Sequence, residues 1–171
     1  MIRLALPTDL DGVERIYDEI LADADCLRFT NWQPGKYPCR RTAERALEQG
    51  WLYVMEEGGE IAAAAILNQE QLPEYDKLPW SIHAPRDRVF VIHTLCVPPS
   101  RAGRGYARKF VDFSEELGRS LGCITLRLDT YEGNEPALSM YPKLGYRTVG
   151  KTLFHFQNII WEKLTCFEKA L

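Results

Sequence analysis

Apolar residues recur along the chain in two kinds of spacing. Leu10, Val13, Ile16, Tyr17, Ile20 and Leu21 follow three- and four-residue intervals, which give a helix one apolar face. Ile2 to Leu6 ahead of them reads as a short strand. Pro7-Thr8 ends it, and Thr8 with Asp11 predicts a capping box for the helix. Residues 25 to 41 follow no period and carry Trp32, Pro34-Gly35, Tyr37 and Pro38, so they read as an ordered loop that covers something. Thr42 then caps a short helix ending near Gln49-Gly50. Leu52 to Glu56 and Ile61 to Asn68, joined at Gly58-Gly59, predict a β-hairpin. A second long loop, polar and proline-rich, spans 69 to 87 with Tyr75 and Trp80.

From Val89 the apolar runs become continuous. Val89 to Val97 is apolar on both alternating faces, as a central strand covered on two sides should be. A helix from about Gly105 would bury Phe110, Phe113 and Leu117 and end near Leu121-Gly122. Cys123 to Leu128 reads as another buried strand. A helix opens at Asn134 and stops at Gly145, and Tyr146 to Leu153 with Ile159 to Phe167 predicts a terminal hairpin. This order predicts an α/β fold: a central mixed, twisted sheet of about six to seven strands with helices on both faces. One domain over residues 1–171 is the economical reading.

Composition excludes several classes. A net charge of −3 disfavours a nucleic-acid partner, because binding the phosphate backbone usually needs a basic face. No apolar run approaches the roughly 20 residues that span a bilayer, so no membrane role is expected. The first residues, MIRLALPTDLDG, lack the apolar core of a secretory leader, which predicts a cytoplasmic protein, monomer or homodimer. The five cysteines are odd in number and form no CxxC pair, so neither a disulfide framework nor a metal site is signalled.

The candidate chemistry lies between Val91 and Tyr146. Gly103-Arg104-Gly105 joins an apolar strand to a basic helix start, so backbone N–H groups and a positive helix end converge on one point. That is a seat for a phosphate. The pattern is not a P-loop, which needs GxxxxGK[ST]. Nor is it the dinucleotide fingerprint, since Arg108 stands where the third glycine belongs. Arg101, Arg104 and Arg108 add charge around the turn. Tyr141 lies seven positions after Asn134, nearly two helical turns, and so projects on about the same face.

These segments resemble the GNAT superfamily of N-acetyltransferases. Its acetyl-CoA signature, [QR]-x-x-G-x-[GA], is matched at Gly105 and Ala107, with Ala102 in the first position and Arg101 one residue earlier. Its second signature, N-x-x-A-x-x-x-Y-x-x-x-G-[FY], is matched by Asn134, Ala137, Tyr141, Gly145 and Tyr146. The resemblance implies the GNAT fold and acetyl-CoA as cosubstrate. It implies that Leu95, Cys96 and Val97 lie where β-strand backbone pairs with the pantetheine arm after a bulge. Arg101, Gly103, Arg104, Gly105, Tyr106, Ala107 and Arg108 would then surround the diphosphate, with Asn134 also on the cofactor. Tyr141 would be the general acid that protonates the departing thiolate. For the base, His93 has a suitable ordinary pKa, with Asp129, Glu132 or a water chain as alternatives. Trp32 and Tyr37 with Asp129 are the expected acceptor contacts, helped by the Tyr75–Trp80 loop. The expected reaction is direct acetyl transfer to a primary amine in a ternary complex. A non-catalytic acyl-CoA-binding regulatory module remains the alternative.

Overall fold

The computed structural model describes residues 1–156 and 160–171. The chain forms β1 (Ile2–Leu4), α1 (Leu10–Ala22), α2 (Ala24–Arg28), α3 (Arg40–Glu48), β2 (Leu52–Glu57) and β3 (Glu60–Asn68). Then come β4 (Val89–Cys96), α4 (Tyr106–Ser120), β5 (Thr125–Tyr131), α5 (Glu135–Lys143), β6 (Arg147–Phe156) and β7 (Ile160–Ala170). The strands make a seven-stranded sheet in the order β1-β2-β3-β4-β5-β7-β6. β4 and β5 pair in parallel, while β1–β2, β2–β3, β5–β7 and β6–β7 pair antiparallel, so the sheet is mixed as predicted. The predicted start of the last strand, Ile159, lies outside the described residues.

By internal contacts the chain falls into two compact units. One holds Met1–Leu27, Trp32–Leu67 and His93–Ser114; the other holds Arg28–Asn31, Asn68–Ile92 and Glu115–Leu171.

In the first unit, the apolar stripe of α1 (Val13, Ile16, Tyr17, Ile20) packs with Ala43 and Ala46 of α3 and with Leu52 and Val54 of β2. Gly12, a weak helix former, is explained by close approach. A Cβ there would lie 2.6 Å from Cγ1 of Ile61, so only glycine lets α1 lie this near β3. Local caps differ from those predicted. The Leu6 N–H donates to Asp9 Oδ2 at 2.7 Å, and Asp9 also receives Arg3 at 2.6 Å. Asp9 therefore does the work expected of Thr8 and Asp11, because its carboxylate serves both a chain end and a cation. Its pKa is lowered, chiefly by the Arg3 hydrogen bond. Helix α3 begins at Arg40, so Thr42 sits inside its first turn and accepts from the Cys39 N–H at 3.2 Å. The loop predicted for 25 to 41 contains the short α2, whose start is held by Asp23 Oδ1 accepting from the Cys26 N–H at 2.8 Å.

In the second unit, one sheet face carries Val89, Val91, Phe154, Leu164 and Cys166, packed with Tyr75 and Leu78 from the 69–88 segment. That segment is anchored by two buried charges. Arg127 donates to Gln71 Oε1 at 2.6 Å and to the Ile82 carbonyl at 2.9 Å, and its guanidinium lies 4.1 Å above the Trp80 ring. Glu168 accepts from the Ser81 N–H at 2.8 Å and the Ile82 N–H at 3.3 Å. Glu168 is also paired with Arg147, whereas Arg127 is held by its two hydrogen bonds and the Trp80 ring. These two therefore turn a proline-rich stretch into a fixed cover.

Candidate active site

The glycine turn is built as its sequence requires. A 3₁₀ turn spans Pro99–Arg101, and α4 begins at Tyr106. Gly103 and Gly105 have φ of 75° and 73°, the left-handed region that glycine enters freely. A Cβ at either would meet nothing within 4 Å, so the space beside the turn is open to a ligand. The first N–H groups of α4 have no intrahelical acceptor, and the helix dipole favours an anion there. An open glycine cradle at a helix start fits a diphosphate.

The arginines around the turn divide in two. Arg101 is only 19% exposed and pairs with Glu57 at 3.4 Å and with Glu60. The Tyr106 hydroxyl also donates to Glu57, and Tyr106 itself is buried. That hydrogen bond, with Arg101 and Arg104 nearby, holds the Glu57 carboxyl below its ordinary pKa. Arg101 and Tyr106 thus tie the turn to the β2–β3 hairpin. Arg104, 56% exposed and 3.7 Å from Glu57, and Arg108, 69% exposed and 3.7 Å from Asp112, keep their charge at the surface. Glu57 and Glu60 were not singled out in the sequence, since nothing local links them to Arg101. Ala107 is half-buried in the first turn of α4.

β4 carries a backbone irregularity. Thr94 has φ of 49°, rare for a β-branched residue and costing about 1–3 kcal/mol. The Tyr37 hydroxyl is hydrogen-bonded to Thr94 Oγ1, and Tyr37 is only 1% exposed. Tyr37 is fixed in turn by paired backbone bonds with Gln33, both 3.0 Å, and by Trp32, edge-on at 6.1 Å. In the loop expected to supply acceptor contacts, Tyr37 braces β4. Tyr37 has its hydroxyl on the strand, and Trp32 is half-buried against it. His93 is half-buried just before the irregular residue; Leu95 and Val97 are half-buried and Cys96 buried after it. Burial pushes the Cys96 thiol up, so it is an apolar core group rather than a nucleophile.

In the second unit, Asn134 caps α5. Its Oδ1 accepts from the Ala137 N–H at 3.2 Å, and its Nδ2 donates to Thr130 Oγ1 at 2.9 Å. Tyr141 is buried, its ring 5.7 Å from Tyr146 and 5.4 Å from Phe167. Burial, and then the charge of Asp129, pushes its phenol above the ordinary value. It therefore keeps its proton at neutral pH, as a proton donor must. Pro142 falls in the last turn, and α5 ends at Lys143. Its missing N–H thus coincides with the end of the helix.

Asp129 is half-buried and accepts the Tyr75 hydroxyl at 2.7 Å. Burial pushes its pKa up to about 6, against the pull of that hydrogen bond. Glu132 pairs with Lys151 and Lys163, each at 3.5 Å, which commits it to surface cations. A residue the sequence reading missed is Glu162 of β7. It is 6% exposed, and its Oε1 is buried without a hydrogen-bond partner. Burial, and then Asp129, pushes it up to about 7. The signal was present: in Ile160-Trp161-Glu162-Lys163-Leu164, strand alternation puts Glu162 on the apolar side.

Asp129 gives a stability prediction. Its folded pKa, about 6, lies above the unfolded value of about 3.9. The charged form is thus disfavoured by folding, and stability is lost as pH rises from about 4 to about 6. Asp129→Asn keeps an acceptor for Tyr75 and removes the charge. Its melting temperature relative to the parent should climb through that window and stay higher at pH 8. A difference that does not vary with pH would show that Asp129 is not strained by its site.

Residues 14–146 match the family model of the acetyltransferase (GNAT) family, and the chain belongs to that family. It resembles the GNAT-family acetyltransferase of Streptococcus agalactiae, with TM-score 0.82 and 23% identity over 100% of this chain and 95% of that one. It resembles a ribosomal-protein-alanine N-acetyltransferase of Brucella melitensis, with TM-score 0.72 and 18% identity over 100% and 99%. It also resembles yncA of Salmonella typhimurium, solved with its cofactor acetyl-CoA, with TM-score 0.70 and 18% identity over 100% and 93%. No curated protein matches the chain in sequence. The protein is an acyltransferase that uses acetyl-CoA as cosubstrate. Among the described residues, no helix is long and apolar enough to cross a membrane, and no group of three metal-ligating side chains occurs.

Proposed function

We propose that the protein transfers the acetyl group of acetyl-CoA to a primary amine by direct attack in a ternary complex, with residues 1–171 acting as one catalytic domain. The observation that carries this reading is Tyr141, a buried phenol that burial keeps protonated at the position of the family's general acid. The N–H groups of the Gly103–Arg108 turn hold the diphosphate, with Arg104 and Arg108 as its counter-charges. Backbone of Leu95, Cys96 and Val97 pairs with the pantetheine arm, and Asn134 supports it from the start of α5. Arg101 and Tyr106 act by holding the turn, and Tyr37 by holding β4 at Thr94. The name of the Brucella neighbour, an N-acetyltransferase, supports an amine as acceptor.

CoA binding tests the cofactor half of this reading. A ligand that binds only the folded state at a hundredfold excess over Kd stabilises by about 2.7 kcal/mol, roughly 5–10 °C for a domain of this size. Millimolar CoA should raise the melting temperature by that order, and NAD or ATP should not. No shift with CoA would count against the site. The amine half is read by mass spectrometry of a primary-amine panel after incubation with acetyl-CoA. CoA binding without any acetylated product would favour the regulatory-module alternative.

A further inference from the structure

On the reading of acetyl transfer to a primary amine, we propose that Glu162 receives the acceptor as its ammonium ion and is the base that takes its proton, with Asp129 further along the same face adding negative charge. The two carboxylates share one face of the sheet. Asp129 stands opposite Cys166 in the β5–β7 ladder. Strand alternation from Cys166 through Leu164 brings Glu162 to the same side, where it stands opposite Phe154 of β6. The surroundings on that face are apolar: Leu164, Cys166, Phe154 and the ring of Tyr75.

The two acids lack a cation. Among the described residues no lysine or arginine forms an ion pair with either. Lys151 and Lys163 are committed to Glu132, and Arg147 to Glu168. Arg127, on the same strand as Asp129, holds Gln71, Ile82 and the Trp80 ring, and its remaining Nε–H is buried without a hydrogen-bond partner. The other titratable groups near the pair are Glu74 and Tyr75 from the 69–88 segment and Cys166 of β7, with Tyr141 of α5 on the opposite sheet face, where it packs on Phe167; none is a cation. A buried carboxylate oxygen with no partner is costly to the fold, and groups perturbed in this way cluster at functional sites. An ammonium supplies both the missing charge and three N–H donors. The absence of a three-ligand cluster among the described residues favours an organic cation over a metal ion.

The chemistry balances. The ammonium gives one proton to the Glu162 carboxylate and becomes a neutral amine. Its lone pair forms the N–C bond to the acetyl carbonyl carbon. When the C–S bond breaks, its electron pair goes to sulfur, and Tyr141 protonates the thiolate. The second proton lost from nitrogen restores the Tyr141 phenol, and Glu162 releases its proton to water. The acceptor class is therefore a small primary amine that is cationic at neutral pH. Its body lies against the apolar face beneath Tyr75.

The test uses the whole chain, acetyl-CoA, and tyramine, putrescine, benzylamine and lysine as probes, with release of CoA thiol as the signal. Glu162→Gln should lower kcat/KM for the best amine at least tenfold at pH 7. It should also remove an acid limb that the parent shows near pH 7, without changing the melting shift given by CoA. Glu162→Asp, which keeps the carboxylate, should retain the limb at a reduced rate. It also decides the matter if Glu162→Gln does not fold, since a missing limb in Glu162→Asp and in the parent overturns the proposal. Transfer by the parent that Glu162→Gln leaves unchanged in rate and pH profile overturns the ammonium seat alone. No thiol release by the parent with any amine overturns the amine reading, and the seat with it.

Discussion

Tyr141→Phe should lower turnover about 10²-fold, the low end of general acid–base effects, and leave CoA affinity unchanged. The substitution removes one hydroxyl and keeps the ring between Tyr146 and Phe167, so the packing of α5 survives. The low end is expected because the CoA thiolate already leaves readily; a 10²-fold loss corresponds to about 2.7 kcal/mol of barrier. Burial adds a sign to the pH profile. A phenol raised above its ordinary value of about 10 stays a donor over the whole neutral range. The parent should therefore show no alkaline limb from loss of this proton up to pH ~10. Steady-state rates of parent and variant between pH ~6 and ~10 decide the point. Parental turnover in Tyr141→Phe across that range would make Tyr141 a packing residue.

Gly105→Val should weaken CoA binding about 10²-fold while the fold persists. Forcing a β-branched residue to φ of 73° costs about 1–2 kcal/mol. The added side chain also stands in the open space where a diphosphate would approach the backbone. The strain falls on the fold; the affinity loss comes from an N–H bond to a charged group, worth about 1.5–3 kcal/mol, which spans the ~2.7 kcal/mol of a 10²-fold change. Nothing in the protein lies within 4 Å of the new Cβ, so no core contact is disturbed. Calorimetric titration with CoA measures the loss. Parental affinity in the variant would place the phosphates elsewhere.

How far the sequence reached can be judged residue by residue. The Gly103–Gly105 turn and the Asn134 cap were legible because each is a short-range requirement: a left-handed φ at a glycine, and a side-chain oxygen three residues from the N–H it accepts. The continuous apolar run of Val89 to Ile92 was legible for the same reason, since a strand covered on both faces has no polar alternation. Caps were less secure. Asp9 displaced Thr8 because Arg3, on another element, rewarded a carboxylate at that place.

By itself the sequence determined the element order, the mixed α/β class, and the two motifs, around Gly105 and around Tyr141, that carry the family resemblance. Each depends on spacing along the backbone. Only the tertiary structure decided what the polar side chains do. Tyr37 meets Thr94 across 57 positions, Tyr75 meets Asp129 across 54, and Tyr106 meets Glu57 across 49. No local pattern encodes such a partner, because a hydroxyl or carboxylate has the same residue type whether it braces a strand, meets a ligand or faces water. Glu162 shows the difference most plainly. Its place on an apolar strand face was readable, but the unpartnered oxygen that gives it a function exists only once the sheet is packed.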